Sequence, residues 1–156
     1  MEPAENVRGP APGGVDDWLD GLGAVDGLLG RADQDLAISG LLGGAPGYAL
    51  AGLYRESEGV WLVVAPDLAR AEALVDDLNT FDVAPVHYLP ELEILPFDRK
   101  SPTRDILASV QAGLHHLDRR EPGFYVTTLY GLRHKVMAQR TLRTARMELR
   151  VGQTID

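Results

Sequence analysis

Cysteine is absent from the 156 residues of this sequence. Its absence excludes disulfide frameworks, thiolate nucleophiles and cysteine-ligated zinc sites, and it agrees with a reducing compartment. The chain also lacks any run of about 18 apolar residues, the length that a membrane-spanning helix requires. Its first 14 residues carry acids and no apolar run, a pattern that indicates neither a secretory signal nor an arginine-rich transit peptide. We therefore expect a globular protein of the cytoplasm.

The net charge of −8 is divided unevenly along the chain. Residues 1–98 hold 18 acids and 4 bases, a net charge of −14, whereas residues 99–156 hold 5 acids and 11 bases, a net charge of +6. This asymmetry predicts either an anion-facing surface near the C-terminal end or a domain of a larger chain whose remainder complements it. The length itself fits one compact domain.

Apolar residues recur at the spacings of alternating strands and helices from residue 36 onward. Residues 1–14 are rich in Pro and Gly and are predicted to be disordered, and residues 15–35 are predicted to form short helices around Trp18. The predicted strands are 36–39, 60–65, 86–89 and 124–128, with a last short strand at 147–151. The predicted helices are 46–54, 68–81, 102–117 and 129–137, of which the third has Ser101 as its N-cap and Pro102 as its first residue.

Crossovers of about 20 residues between strands predict an α/β fold, a three-layer parallel sheet with helices on both faces. Residues 60–65 are apolar without alternation, which predicts a strand covered on both faces. Trp61, within this strand, is a predicted core aromatic, as is Trp18 in the N-terminal helices.

A glycine-rich loop lies between the first predicted strand and helix, the position of a phosphate-binding loop. Such a loop needs G-x-x-x-x-G-K-[ST], because backbone N–H groups, a lysine and a hydroxyl bind phosphate and magnesium. Ala stands here at the second glycine, Pro at the lysine and Gly at the Ser/Thr position. The residues of this degenerate phosphate loop are Gly40, Gly43, Gly44, Ala45, Pro46 and Gly47. The loss of two charge-assisted hydrogen bonds costs about 3–6 kcal/mol, so we expect no ATP or magnesium cofactor and no catalysis in this chain. A Walker B acid pair after an apolar strand is also absent.

Two groups of ionisable residues are weak candidates for metal or acid–base chemistry. His115 and His116 are adjacent on a predicted helix, where their side chains point about 100° apart, so they do not share one metal ion. Glu91, Glu93 and Asp98 lie in a proline-rich loop without a nucleophile or a histidine nearby in sequence. They are predicted to be loop caps or solvent-facing charges.

A basic stretch near the C-terminal end is the candidate for DNA contact or for contact with a neighbouring domain. It has one acid, Glu148, among six bases: Arg133, Lys135, Arg140, Arg143, Arg146 and Arg150. Each phosphate contact by such residues adds a salt-dependent increment to nucleic-acid affinity. Aromatic side chains are lacking there, so single-stranded DNA has no stacking platform. A solvated face or a surface for another domain is the favoured interpretation.

Residues 88–106 form the most specific string in the sequence, a loop with three prolines that leads into a long helix. The string resembles a segment of the N-terminal UvrB-like module of the bacterial transcription-repair coupling factor (Mfd) family. The resemblance rests on Glu93, Leu95, Pro96, Phe97, Asp98, Ser101, Pro102, Asp105 and Ile106. Residues 64–67, 127–132 and 152–156 are similar to further family segments in the same order, and the match covers roughly residues 36–156.

The resemblance implies a RecA-like (P-loop-type) domain at 36–151, whose phosphate loop the coupling factors have lost, and a junction at 152–156 to a following domain. In that family the complete protein is an ATP-dependent DNA translocase that displaces stalled RNA polymerase from damaged DNA and recruits nucleotide excision repair through UvrA. The implied partners are therefore the remaining domains of its own chain and, through them, UvrA, RNA polymerase and duplex DNA. Two alternatives stay open: an ATP-binding half of a UvrB-like excision-repair helicase, and a stand-alone DNA-binding domain.

Overall fold

The structure, a computed structural model, describes residues 38–92, 102–145 and 152. These residues contain three strands and five helices. The strands are β1 (Val60–Ala65), β2 (Val86–Tyr88) and β3 (Gly123–Thr128), and the helices are α1 (Ala45–Glu56), α2 (Leu68–Phe81), α3 (Arg104–Asp118), α4 (Leu129–Arg133) and α5 (Gln139–Ala145).

The three strands form one parallel sheet in the order β1-β3-β2. Trp61 pairs with Phe124 across β1 and β3, and Val86 pairs with Phe124 across β2 and β3. Because β3 lies between the other two strands, all six of its residues are buried. The predicted α/β class with a parallel sheet is thus confirmed for these strands. The RecA-like assignment and the three-layer arrangement stay predictions.

The start of helix α1 is explained by the residues at its N-terminal end. Pro46 lies in its first turn, where its missing N–H costs no hydrogen bond, and Gly44 is the residue at the N-cap position. The helix ends at Glu56, and Ser57 then accepts a hydrogen bond from the indole Nε1 of Trp61 at 2.9 Å through its backbone oxygen. The predicted helix is confirmed.

Helix α2 has the predicted start and end. The side chain of Asp67 accepts a hydrogen bond from the backbone N–H of Arg70 at 2.8 Å, which satisfies one of the free donors of the first turn. At the other end Asp82 adopts a left-handed conformation with φ of 49° and terminates the helix. A local cap and an apolar stripe were sufficient to define this element.

The main core lies between α1, α2 and one face of the sheet. Ala71, Leu74 and Leu78 of α2 are buried there with Phe124 and Val126 of β3. The ring of Tyr54 packs on Phe124 with centroids 4.8 Å apart, and Trp61 packs at the edge of the same cluster. The prediction for Trp61 agrees with this packing, whereas Trp18 lies outside the described residues.

The prediction that β1 is covered on both faces is wrong for the described structure. The side chains of Val60, Leu62 and Val64 are 43%, 56% and 43% exposed, while Trp61 and Val63 alternate with them toward the core. The physical reason is that α2 packs on the face that Trp61 and Val63 share, whereas an open groove separates Leu62 on the other face from α3.

Two helix boundaries differ from the prediction, and one helix was not predicted. Helix α3 begins at Arg104 and not at Pro102, because Thr103 is extended with ψ of 151°. The helix predicted at 129–137 ends at Arg133, since His134 is extended, and α5 follows as a separate helix that the sequence analysis did not predict.

The strand predicted at 36–39 is wrong for its two described residues, Ile38 and Ser39, which have no strand structure. Gly40 follows with φ of 82°, a left-handed conformation that ends an extended run. The predictions for residues 1–35 and for the strand at 147–151 lie outside the described residues. Of the predicted junction at 152–156, only Gly152 is described.

Candidate functional site

The glycine loop is an exposed turn at the start of α1. Gly43 has φ of 57°, and its backbone oxygen accepts a hydrogen bond from Arg70 Nη1 at 3.3 Å. The N–H of Ala45 donates to the backbone oxygen of Leu42 at 3.1 Å. One N–H of the turn is therefore already used within the loop, and Pro46 has none to offer.

Asp77 of α2 lies directly against this loop. A Cβ atom placed on Gly47 would lie 2.6 Å from the Cβ of Asp77, and one placed on Gly44 would lie 3.3 Å from the Asp77 carboxylate. Gly47, which stands at the Ser/Thr position of a phosphate loop, is thus needed for helix packing. A carboxylate beside the loop also repels a phosphate group. The loop is a glycine turn that leads into α1 and lacks the positive charge of a phosphate site.

The carboxyl ends of β2 and β3 are joined by two threonine side chains. The hydroxyl of Thr127 donates to the backbone oxygen of Leu89 at 2.9 Å, and the hydroxyl of Thr128 donates to Glu91 Oε1. Thr128 Oγ1 also accepts from the backbone N–H of Gly131 at 3.0 Å and so caps α4. Both threonines are buried, so these bonds fix the segment after β2 at the edge where ligands of parallel α/β sheets bind.

Two cavities adjoin this edge. The first has a volume of about 340 Å³ and is lined in part by the carboxylates Glu72, Glu91 and Asp105. The second is an apolar groove of about 240 Å³ between the exposed side of β1, helix α3 and the segment after α4. Its apolar lining includes Leu62, Leu89, Val110, Leu114, Leu117 and Leu132.

The exposed side of β1 and the outer side of α4 together expose many large apolar side chains. We call this the β1–α4 surface. Its members are Val60, Leu62, Val64, Leu129, Tyr130, Leu132, Val136 and Met137. Leu62, Leu132 and Val136 of this set line the same apolar groove, and exposed apolar surface is typical of protein interaction sites.

The basic residues of the predicted contact segment have different environments. Arg143 pairs with Asp118 at the end of α3, where Nε and Nη2 each approach a carboxylate oxygen at 2.9 Å. Hydrogen bonds from Arg143 and then Gln139 hold the pKa of Asp118 below its ordinary value. The guanidinium of Arg133 lies 5.8 Å from the centre of the Tyr130 ring. Arg143 is therefore used to attach α5 to α3.

Lys135 and Arg140 are exposed, and Arg146 and Arg150 lie outside the described residues. Among the described residues of this segment, the side chains of Arg133, Lys135 and Arg140 are thus exposed. Whether they contact DNA or another domain stays a prediction.

The histidines form a cluster that the sequence analysis found only in part. His116 does not share a ligand position with His115; its Nδ1 contacts Oε2 of Glu121, and its ring stacks on His87 with centroids 4.4 Å apart. Sequence reasoning missed His87, which lies 29 positions earlier in the chain on β2. Among the described residues there is no group of three or more His, Asp or Glu side chains placed to hold a metal ion.

The residues that carried the family resemblance are described only at their C-terminal end. Pro102 precedes α3, and Asp105 lies in its first turn, where a carboxylate stabilises the positive end of the helix dipole. Glu93, Pro96, Asp98 and Ser101 lie outside the described residues. Within the described part of the chain, no helix is long and apolar enough to cross a membrane.

These observations define the described region as a parallel α/β domain with a glycine turn at its first helix and an exposed apolar edge. The chain is similar to the transcription-repair-coupling factor of Myxococcus xanthus, with 33% identity over 135 residues that cover 81% of this chain and 11% of that protein. It is similar to the transcription-repair-coupling factors of Escherichia coli (strain K12) and Haemophilus influenzae at 26% identity, over 81% and 64% of this chain. The chain thus spans about a tenth of the length of these relatives. No protein-family model matches it.

Proposed function

We propose that this chain is a non-catalytic, UvrB-like domain of a transcription-repair coupling factor, and that it serves as an interaction surface for the other domains of that protein. The observation that carries the proposal is the similarity to three such factors over most of this chain and about a tenth of theirs. Through the complete protein, the proposed partners are UvrA, RNA polymerase and duplex DNA, in the cytoplasm.

The β1–α4 surface supports an interaction role. Parallel strands are normally covered on both faces, and an edge strand with three exposed apolar side chains is a liability in an isolated domain. At Val60, Leu62 and Val64 the exposed row runs the length of β1. A further part of a longer chain that packs here would remove this surface from water.

The environment of the glycine loop supports the absence of catalysis in this chain. Pro46 replaces the lysine that would neutralise phosphate, and Asp77 adds a negative charge beside Gly44 and Gly47. We therefore propose that ATP and magnesium act only in separate motor domains of the complete protein. The rival proposal, a UvrB-like ATP-binding half, requires a phosphate loop that retains its lysine and its Ser/Thr hydroxyl.

Two experiments test the proposal. Isothermal titration of the purified 156-residue chain with Mg-ATP should give no binding heat beyond dilution, and low-micromolar binding would favour the ATP-binding alternative.

Sequencing of the gene beyond codon 156 should reveal an open reading frame that encodes translocase motifs. A stop codon directly after codon 156 would contradict the role as a domain of a larger coupling factor.

DNA binding by the chain alone is the second candidate function, because Arg133, Lys135 and Arg140 are exposed cations within one short segment of the chain. It requires duplex affinity that falls steeply with salt, with a slope set by the number of phosphates contacted. Titration of a fluorescent duplex at two salt concentrations distinguishes this function from the interaction role.

A further inference from the structure

An aromatic stack connects β2, β3 and α3 on the side of the sheet away from the main core. The ring of His87 stacks on Tyr125, its cross-strand partner, with centroids 4.8 Å apart and planes 26° apart. It also stacks on His116 of α3, with centroids 4.4 Å apart and planes 22° apart. His87 is thus the contact through which a helix side chain reaches the sheet.

The same residues are linked by hydrogen bonds at the end of α3. Nδ1 of His116 contacts Oε2 of Glu121, whose other carboxylate oxygen pairs with Nε of Arg119 at 2.9 Å. The hydroxyl of Tyr125 donates to the backbone oxygen of Glu121 at 2.9 Å. The stack and the turn after α3 therefore form one closed network, and each member holds another in place.

The two stacked histidines have different surroundings. Nδ1 of His116 contacts the carboxylate of Glu121, whereas His87 has no carboxylate in hydrogen-bonding contact among the described residues. The ring of His87 instead stacks directly on the ring of His116. Two imidazolium rings at 4.4 Å repel each other, whereas one charged and one neutral ring do not.

We propose that the His87–His116 stack is a proton-sensitive latch, which holds α3 on the sheet while His87 is neutral and loosens when both rings are charged. The proposal does not depend on the family to which the chain belongs. Since α3 supplies Val110, Leu114 and Leu117 to the apolar groove, loosening of α3 changes the surface that the groove presents.

The groups that face the stack come from every element packed on it: Tyr125 from β3, His115 and His116 from α3, and Arg119 and Glu121 from the turn after α3. Burial, and then the charge of His116, lower the pKa of His87, while Glu121 opposes this effect. The pKa of Glu121 is lowered first by its hydrogen bond with His116.

The two shifts act in different pH ranges. A histidine whose pKa is lower in the folded than in the unfolded chain stabilises the fold above about pH 6.5, the unfolded value, and this contribution is lost as the pH falls below it. A glutamate with a lowered pKa loses its contribution only below about pH 4.3. A loss of stability between pH 7 and pH 5 that disappears when His87 is replaced therefore reports on His87.

The test is the free energy of unfolding in urea, measured for the complete chain between pH 7.5 and pH 5. The unfolding equilibrium constant of the wild type should rise as the pH falls, by at most about tenfold per pH unit for uptake of one proton. His87→Phe keeps an aromatic ring and removes the titrating group, so this rise should disappear. His134→Gln, outside the stack, is the matched control and should behave as the wild type. An unchanged pH dependence in His87→Phe overturns the latch.

A second measurement keeps the test decisive if His87→Phe does not fold. The NMR titration midpoint of the His87 ring should move to higher pH in His116→Gln, because the neighbouring charge is removed. Amide exchange of residues 110–117, corrected for intrinsic rates, should be faster at pH 5.5 than at pH 7. An unmoved His87 midpoint, or equal corrected exchange, contradicts the proposal.

Discussion

Arg143 and Asp118, 25 residues apart in sequence, form a two-point ion pair in which Nε and Nη2 of the guanidinium each lie 2.9 Å from a different carboxylate oxygen. Gln139 donates a further hydrogen bond to the same carboxylate. The short helix α5 is therefore attached to the end of α3 by one acidic side chain. Because the guanidinium of Arg143 already binds a carboxylate at two points, Arg143 is a poor candidate for phosphate binding.

Replacement of Asp118 by Asn should release α5 from α3. The asparagine keeps the size of the side chain but loses the charge that holds Arg143, so the amide hydrogens of residues 142–145 should exchange faster. Hydrogen exchange with NMR detection measures this effect. Asp105→Asn, in the first turn of α3, is the matched control and should leave exchange in α5 unchanged.

The same ion pair should depend on pH in a defined range. Because the pKa of Asp118 is lowered in the folded chain, its contribution is present above about pH 3.9, the ordinary value, and is lost as the pH falls through the folded value. Exchange in α5 should therefore be slow at pH 5 and faster at pH 3, after correction for intrinsic rates. An Asp118→Asn chain with the same pH response would contradict this assignment.

Gly131→Ala should destabilise the packing of α4 against the end of β3. A Cβ atom at this position would lie 2.4 Å from Thr127 Oγ1, which is held by its bond to Leu89. Overpacking of this kind costs about 1–3 kcal/mol, which urea unfolding detects. At Gly59 no atom lies within 4 Å of an added Cβ, so Gly59→Ala is the control and should change stability by less than the Gly131 variant.

Thr128→Val should remove the cap of α4 and leave Glu91 without its hydroxyl donor. We expect a loss of about 1–2 kcal/mol in the free energy of unfolding, the usual cost of an N-cap. Thr128→Ser retains the hydroxyl and should recover most of that loss. If the valine and serine variants are equally stable, the hydroxyl bonds to Glu91 and Gly131 do not stabilise the fold.

Leu62→Gln should weaken the proposed contact of β1 with another domain without destabilising the isolated chain. Leu62 is 56% exposed, so the change should alter the free energy of unfolding of the isolated chain by no more than about 0.5 kcal/mol. Leu78→Ala, at a fully buried position, should cost about 2–5 kcal/mol. In the longer protein that we propose, Leu62→Gln should lower the thermal stability; an unchanged melting temperature there would exclude β1 as a domain contact.

Several elements were predictable because their signals are local. The cap at Asp67 and the apolar stripe of α2 lie within one helix, and the apolar runs of β1 and β3 are bounded by glycine, proline or polar residues. The start of α3 was less predictable, since Pro102 is compatible both with the first helical position and with the position before the extended N-cap residue, Thr103, that it occupies. The break after Arg133 had no strong breaker in the sequence.

For the candidate site, the sequence predicted which residue types are present but not which distant residues lie beside them. The sequence shows that the loop lacks a lysine and a hydroxyl, but not that Asp77, 30 residues beyond Gly47, lies against it. It shows six bases near the C-terminal end, but not that Arg143 is paired with Asp118. It also gives no sign that His87 stacks on His116.

The amino-acid sequence by itself determined the α/β class, the parallel strands and the missing chemistry of the glycine loop, because hydrophobic periodicity and residue type act within a few positions of the chain. Only the tertiary structure decided the strand order, the exposed side of β1 and the histidine stack. These depend on which distant segments meet, and the free energy of such contacts comes from buried surface, ring packing and charge pairing between residues that the linear pattern does not connect.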